Sequence, residues 1–145
     1  YSMIVRPQGT AIGYRYLYHI CVPLDVSAMK EAAGYFKGTH DFASFMAAGS
    51  PVRTTVRTVT DVRLDWEDPF LYFMVKGDGF LYHMVRIMVG TLIEVGRGRI
   101  DSFSVPEVLQ ARDRKRAGPT APPQGLSLEE VYYEKYFLDT PQHMH

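Results

Sequence analysis

Arg86 has the most pointed chemical requirement of any residue in this chain. It sits within Gly79-Phe80-Leu81-Tyr82-His83-Met84-Val85-Arg86-Ile87-Met88-Val89-Gly90, an otherwise almost wholly apolar run. A guanidinium cannot shed its charge, and burying one without a hydrogen-bonded anion costs on the order of several kcal/mol. Its counterpart must therefore be a carboxylate, a phosphate or water. At about 100° per residue, helical spacing gathers His83, Arg86, Gly90, Glu94 and Arg97 into one narrow stripe. Gly90, one turn beyond Arg86, leaves room beside it. Two readings of the stripe stand side by side: a thin polar face turned to water, or the wall of a cleft in which Arg86 orients a carboxylate or an RNA group.

Other chemistries lack their residues. The sequence contains no Gly-rich phosphate loop, no zincin pair of histidines, no paired cysteines of a zinc ribbon and no serine-hydrolase spacing. A single cysteine, Cys21, excludes an internal disulfide and fits a reducing cytoplasm. His143 and His145 fall in a tail after Asp139 that reads as frayed, not as a metal site. Lys76-Gly77-Asp78-Gly79-Phe80-Leu81 partly matches the RNA-stacking motif of the RRM fold, but Asp78 stands where an aromatic is wanted and helical periodicity follows. Formal charge is zero, which argues against coating nucleic acid through an overall field. Arg97, Arg99, Arg112, Arg114, Lys115 and Arg116 nevertheless crowd one region ahead of Glu129, Glu130, Glu134 and Asp139, so a local basic patch survives neutrality.

The elements that must position these groups follow from periodicity. Residues 80 to about 96 are apolar almost all round, which predicts a core helix ending at Gly96. Tyr14, Tyr16 and Tyr18 share one face of a strand running to Ile20. Pro23-Leu24-Asp25 opens a helix with Asp25 as N-cap and Met29, Ala32, Ala33 and Phe36 as its buried face, ending near Gly38. Gly38 to Asp41 reads as a turn into a short helical piece holding Phe42 and Phe45. Val52 to about Trp66 predicts a long strand with Phe70 to Val75 as its hairpin partner. Lys76 to Gly79 reads as a turn, and Val105 to Arg112 as a short helix with Pro106 near its start. The proline-rich segment Gly118 to Gly125 predicts an extended surface crossing, and Leu126 to Tyr136 a closing strand.

Together these make one α+β domain over 1–145, with a mostly antiparallel sheet and helices packed on one face. No apolar stretch reaches the roughly twenty residues of a membrane span. The first ten residues lack the layout of a secretory signal and begin without methionine, which suggests a fragment or a processed chain.

Several blocks, in order, carry a resemblance: Tyr14-Arg15-Tyr16, GTHDFASF with VRTV, GFLYHMVRIMVGTLIEVGRG, and ARDRKRAGPTAPPQGL. Together they resemble the C-terminal half of the bacterial TruA-type tRNA pseudouridine synthases, from Tyr14 to about Tyr133. The connection from Ile20 to Pro23 is shorter than the family's. The resemblance implies two α+β domains flanking a basic cleft, a cytoplasmic homodimer, and no metal or cofactor. It implies isomerisation of uridine to pseudouridine at positions 38 to 40 of the tRNA anticodon stem-loop. The family's catalytic aspartate lies in an Arg-Thr-Asp motif of the N-terminal domain, and this sequence has no such motif. A chain of this kind is expected to be inactive alone.

Two positions carry over as catalytic. Tyr14 matches the tyrosine that stacks on the target base, its phenol a candidate for proton transfer. Arg86 matches the basic residue that pairs with the catalytic aspartate. His83 falls at a family position near the cleft, Phe80 and Leu126 are candidate apolar walls, and Arg57, Arg112 and Arg114 match basic positions expected to meet tRNA phosphates. The alternative is a non-catalytic RNA-binding or dimerisation module on the same fold.

Overall fold

A computed structural model describes residues 1–7, 16–49 and 51–127. Five strands form one sheet: β1 (Ser2–Val5), β2 (Tyr18–Ile20), β3 (Gly38–Asp41), β4 (Val56–Glu67) and β5 (Phe70–Gly77), in the order β2-β1-β5-β4-β3. Only β1 and β2 run parallel; the other three pairings are antiparallel. Three helices accompany the sheet: α1 (Val26–Gly34), α2 (Met84–Gly96) and α3 (Val105–Ala111).

The β4–β5 hairpin is the frame. Its register sets Leu64 opposite Phe73, and Val62 opposite Val75. The pleat sends these side chains to one face, where Leu64, Leu71 and Phe73 are buried. Helix α1 packs against α2 and β4 with Met29, Ala32 and Ala33 fully buried. As expected, Asp25 caps it, its Oδ1 accepting from the Ala28 amide at 3.1 Å. The start of α1 meets the end of α2, where the Asp25 amide donates to the Gly96 carbonyl at 2.8 Å. A Cβ on Gly96 would come within 2.6 Å of Met29 Sδ, so the two helices touch through a missing side chain.

Four differences from the sequence reading have causes in contacts distant in sequence. The long helix starts at Met84, not at residue 80. Residues before it remain tied to other elements: the Asp78 amide donates to the Thr58 carbonyl, Asp78 Oδ1 accepts from the Thr58 amide, and the Tyr82 carbonyl accepts from Ala47. Gly38–Asp41 is a strand, not a turn, because β4 offers it a complete antiparallel register; α1 accordingly ends at Gly34, short of Gly38. Ser2–Val5, which showed no clear strand signal, lies between β2 and β5 with Met3 and Ile4 buried. Finally, the proline-rich crossing is no surface strap, since Gly118, Ala121 and Gly125 are buried against α2 and Tyr1. Leu126 and Ser127 are not strand, and the rest of the expected closing strand lies outside the described residues, as does Tyr14.

Candidate functional site

A cleft of about 1190 Å³ opens beside β5. Alternation along that strand explains its wall: Leu71 and Phe73 are buried in the core, while Tyr72, Met74 and Lys76 face the cleft. The chain then turns, bringing Phe80, Tyr82 and His83 along the rim before α2 delivers Arg86. Tyr1, Pro123 and Leu126 line it further, as do Thr60 and the carboxylates of Asp65 and Glu67 on β4, neither of which pairs with Arg86.

Arg86 is half-buried, as the sequence required of an arginine on a core helix. The group that receives it is a peptide carbonyl: Nε donates to the Ala121 oxygen at 2.7 Å. In return the Ala121 amide donates to the Arg86 carbonyl at 3.0 Å, so the residue pair is locked reciprocally. Gly90 is what permits this approach. A Cβ there would fall 1.6 Å from the Pro119 carbonyl oxygen, so the crossing passes through the gap that Gly90 leaves. The Gly118 amide adds a bond to buried Thr91 Oγ1 at 2.9 Å. Among the described residues, ion pairs join Arg63 to Asp65, Arg99 to Glu94 and Arg112 to Asp41, and none engages Arg86. Its terminal nitrogens likewise make no hydrogen bond among the described residues. Of the stripe, His83 and Arg86 line the cleft, while Gly90 packs on Pro119 and Glu94 pairs with Arg99; Arg86 is oriented by a neutral oxygen and has no ion-pair partner among the described residues.

His83 sits immediately ahead of α2 with φ 60° and ψ 14°, a left-handed backbone. Its ring lies 3.8 Å from that of half-exposed Tyr82, at 30° between planes. Partial desolvation, reinforced by the positive charge of Arg86, lowers the imidazole pKa below its usual value, so neutral imidazole is favoured. The Tyr1 phenol is pushed well above the ordinary tyrosine range by burial and by nearby Tyr18, with Arg86 opposing, and it donates to the Pro122 carbonyl.

Of the residues expected at the site, Phe80, His83, Arg86 and Leu126 converge on the cleft. The three other arginines stand apart from its lining. Arg57 Nη1 donates to the Thr54 and Val56 carbonyls, both at 2.8 Å. Arg112, largely exposed at the end of α3 with φ 49°, reaches Asp41 at 3.9 Å. Arg114 binds the crossing, through Nη1 to the Gly118 carbonyl at 2.7 Å and Nη2 to Thr120 Oγ1 at 3.1 Å. Sequence reasoning missed Tyr1, Asp65, Glu67, Tyr72, Met74 and Lys76. The period-two alternation of Phe70 to Lys76 carried the signal for three of them; Tyr1 had none. Among the described residues, no group of three or more His, Cys, Asp or Glu side chains is placed to hold a metal ion.

The family model described as tRNA pseudouridine synthase matches residues 32–134, which include β3 to β5, the end of α1, all of α2 and the crossing that holds Arg86. This chain belongs to the tRNA pseudouridine synthase family. It is 55% identical over 116 residues to tRNA pseudouridine synthase A of Acetivibrio thermocellus, covering 80% of this chain and 48% of that protein. It is 57% identical over 119 residues to the enzyme of the same name from Moorella thermoacetica, covering 82% and 48%. With tRNA pseudouridine synthase A 2 of Clostridium perfringens the identity is 46% over 133 residues, 92% of this chain and 54% of the relative. The chain thus spans about half the length of the curated relatives it matches. For this pseudouridine synthase domain, the expected fold class holds: one mixed, mostly antiparallel sheet with its helices, an α+β arrangement.

Proposed function

We propose that this chain supplies one wall of the active site of a tRNA pseudouridine synthase acting on uridines of the anticodon stem-loop. In this reading a catalytic aspartate comes from the part of the protein outside this chain. The observation that carries it is the state of Arg86: Nε is fixed by a carbonyl while the terminal nitrogens, at a cleft, have no partner among the described residues. A fork so oriented is built to receive a carboxylate. The cation keeps that carboxylate ionised, the state a nucleophile needs.

The target uridine must leave its stack, at a cost of a few kcal/mol. Tyr14 is assigned the stacking platform that offsets part of this. Phe80 and Leu126 wall the pocket so that detached uracil rotates without escaping, and His83 borders it. Arg57 and Arg112 are assigned to phosphates. The protein works as a homodimer in the cytoplasm; no helix among the described residues is long and apolar enough to cross a membrane.

The test uses the full-length protein. Arg86→Met should lower pseudouridine formation by about 10²-fold or more, the scale of losing one stabilising charge at a reacting centre, while tRNA affinity stays within a few-fold. Turnover near that of the wild type sinks the role of Arg86. A full-length protein that binds tRNA in a salt-sensitive way yet makes no pseudouridine is instead a non-catalytic RNA-binding module.

A further inference from the structure

Arg114 belongs to the basic cluster that sequence alone assigns to phosphates, yet its guanidinium is spent inside the protein. It sits on a short 3-10 turn, Arg114–Arg116, half-buried although its neighbours Lys115 and Arg116 are exposed. Burial also lowers its pKa, as expected for a cation drawn out of water. The turn is anchored from below. The Asp113 amide donates to Ser44 Oγ at 2.9 Å, and that buried hydroxyl donates to the Val108 carbonyl at 2.6 Å. From this base Nη1 holds the Gly118 carbonyl and Nη2 holds Thr120 Oγ1. On its other side Gly118 donates to Thr91 Oγ1, and Thr91 Oγ1 donates to the Ile87 carbonyl at 2.8 Å, one residue beyond Arg86. Ala121, next after Thr120, carries the oxygen that fixes Arg86 Nε.

We propose that Arg114 is a positioning residue for Arg86: by clamping residues 118 to 120 onto α2 it holds the Ala121 carbonyl where Arg86 is aimed into the cleft. The inference rests on the reading of Arg86 given above. The clamp is two-pronged and geometric. Lysine, a point charge on a flexible stem, cannot replace it. A misplacement of about 1 Å at a reacting centre costs on the order of 10²-fold in rate, so loss of the two Arg114 bonds need move the segment only slightly to be felt.

In the full-length protein, Arg114→Met should lower kcat for pseudouridine formation by about ten- to a hundredfold, with the Kd for tRNA and its salt dependence unchanged. Thr120→Val removes one acceptor and leaves the arginine in place, and should lower kcat in the same direction by a smaller factor; it decides the matter if Arg114→Met fails to fold. A phosphate ligand behaves in the opposite way: Kd weakens, the slope of log affinity against log salt falls by about one, and kcat at saturating tRNA is preserved. That result, or unchanged kcat in both variants, overturns the proposal. A readout independent of activity separates this from the functional reading. The Nε–H resonance of Arg86 should shift in both variants as its bond to Ala121 is perturbed, whether or not the protein makes pseudouridine; an unmoved resonance overturns the positioning role by itself.

Discussion

His83 adopts a left-handed backbone at φ 60°. For an L-residue this conformation costs about 1–2 kcal/mol, and such strain persists where the surroundings over-determine it. Here they do: the Tyr82 carbonyl is tied to Ala47, the His83 carbonyl accepts from Ile87 at 2.9 Å, and the ring lies tilted against that of Tyr82. Asparagine tolerates this region and a β-branched residue does not, so His83→Asn should leave the melting temperature nearly unchanged and His83→Val should cost about 2 kcal/mol by urea unfolding. The charge has a sign as well. The folded pKa lies below the unfolded value of about 6.5, so the contribution of neutral His83 is fully present above that pH and is lost as pH falls through the folded pKa. Wild-type stability relative to His83→Asn should therefore decline on acidification from about pH 7 to 5, and a constant difference refutes the assignment. At this scale the sequence was legible wherever a residue violated its surroundings. Arg86 on an apolar helix announced itself, whereas Tyr72, within a strand of aromatic and aliphatic residues, carried no mark of its own and only its placement on an open face made it part of the cleft.

Helix α2 and the proline-rich crossing function as one unit, and the contact between them tests two competing magnitudes. Gly90 lies inside a helix, where alanine is favoured by about 1 kcal/mol. In open space Gly90→Ala would stabilise the protein. The new Cβ, however, would meet the Pro119 carbonyl oxygen at 1.6 Å and its carbon at 2.7 Å, and backbone cannot swing away as a side chain would. The crossing must lift, with a net loss of about 1–3 kcal/mol measurable in thermal or urea unfolding; a Gly90→Ala protein as stable as wild type would show that the crossing is loosely held. Asp25→Ala, by comparison, removes a single capping bond and should cost about 1 kcal/mol. Helices α1 and α2 and the β4–β5 hairpin were legible in sequence, because their signals are local: apolar periodicity fixed the body of α2, Asp25 the start of α1, and two alternating runs joined by a short turn the hairpin. Strands β1 and β3 were not legible. Each is four residues long and owes its existence to partners far away in sequence, Leu71 for Met3 and Thr58 for Thr39. The start of α2 was misplaced for the same reason, since long-range bonds hold residues 78 to 82 out of the helix that their own periodicity favours.

At the scale of the molecule, balance of charge decides how the proposed tRNA substrate is held. Sixteen Lys and Arg against sixteen Asp and Glu leave no net field, so attraction to a polyanion depends on where the arginines are placed. Arg57 and Arg112 are the expected phosphate contacts left once Arg114 is committed to the crossing. Each is held by weak or one-sided contacts that a phosphate can share: Arg57 by carbonyls at the start of β4, Arg112 by a 3.9 Å pair with Asp41 on an exposed surface. In the full-length protein, Arg57→Ala with Arg112→Ala should therefore reduce the slope of log affinity against log salt by about two, one per phosphate contact, with kcat at saturating tRNA kept. On the proposed reading, residues 1–145 by themselves should bind tRNA weakly and form no pseudouridine, because the carboxylate proposed for Arg86 lies outside these residues. Pseudouridine produced by this chain alone, in a tritium-release assay free of full-length enzyme, would place a nucleophile within these residues and remove the reason for reading Arg86 as half of a site.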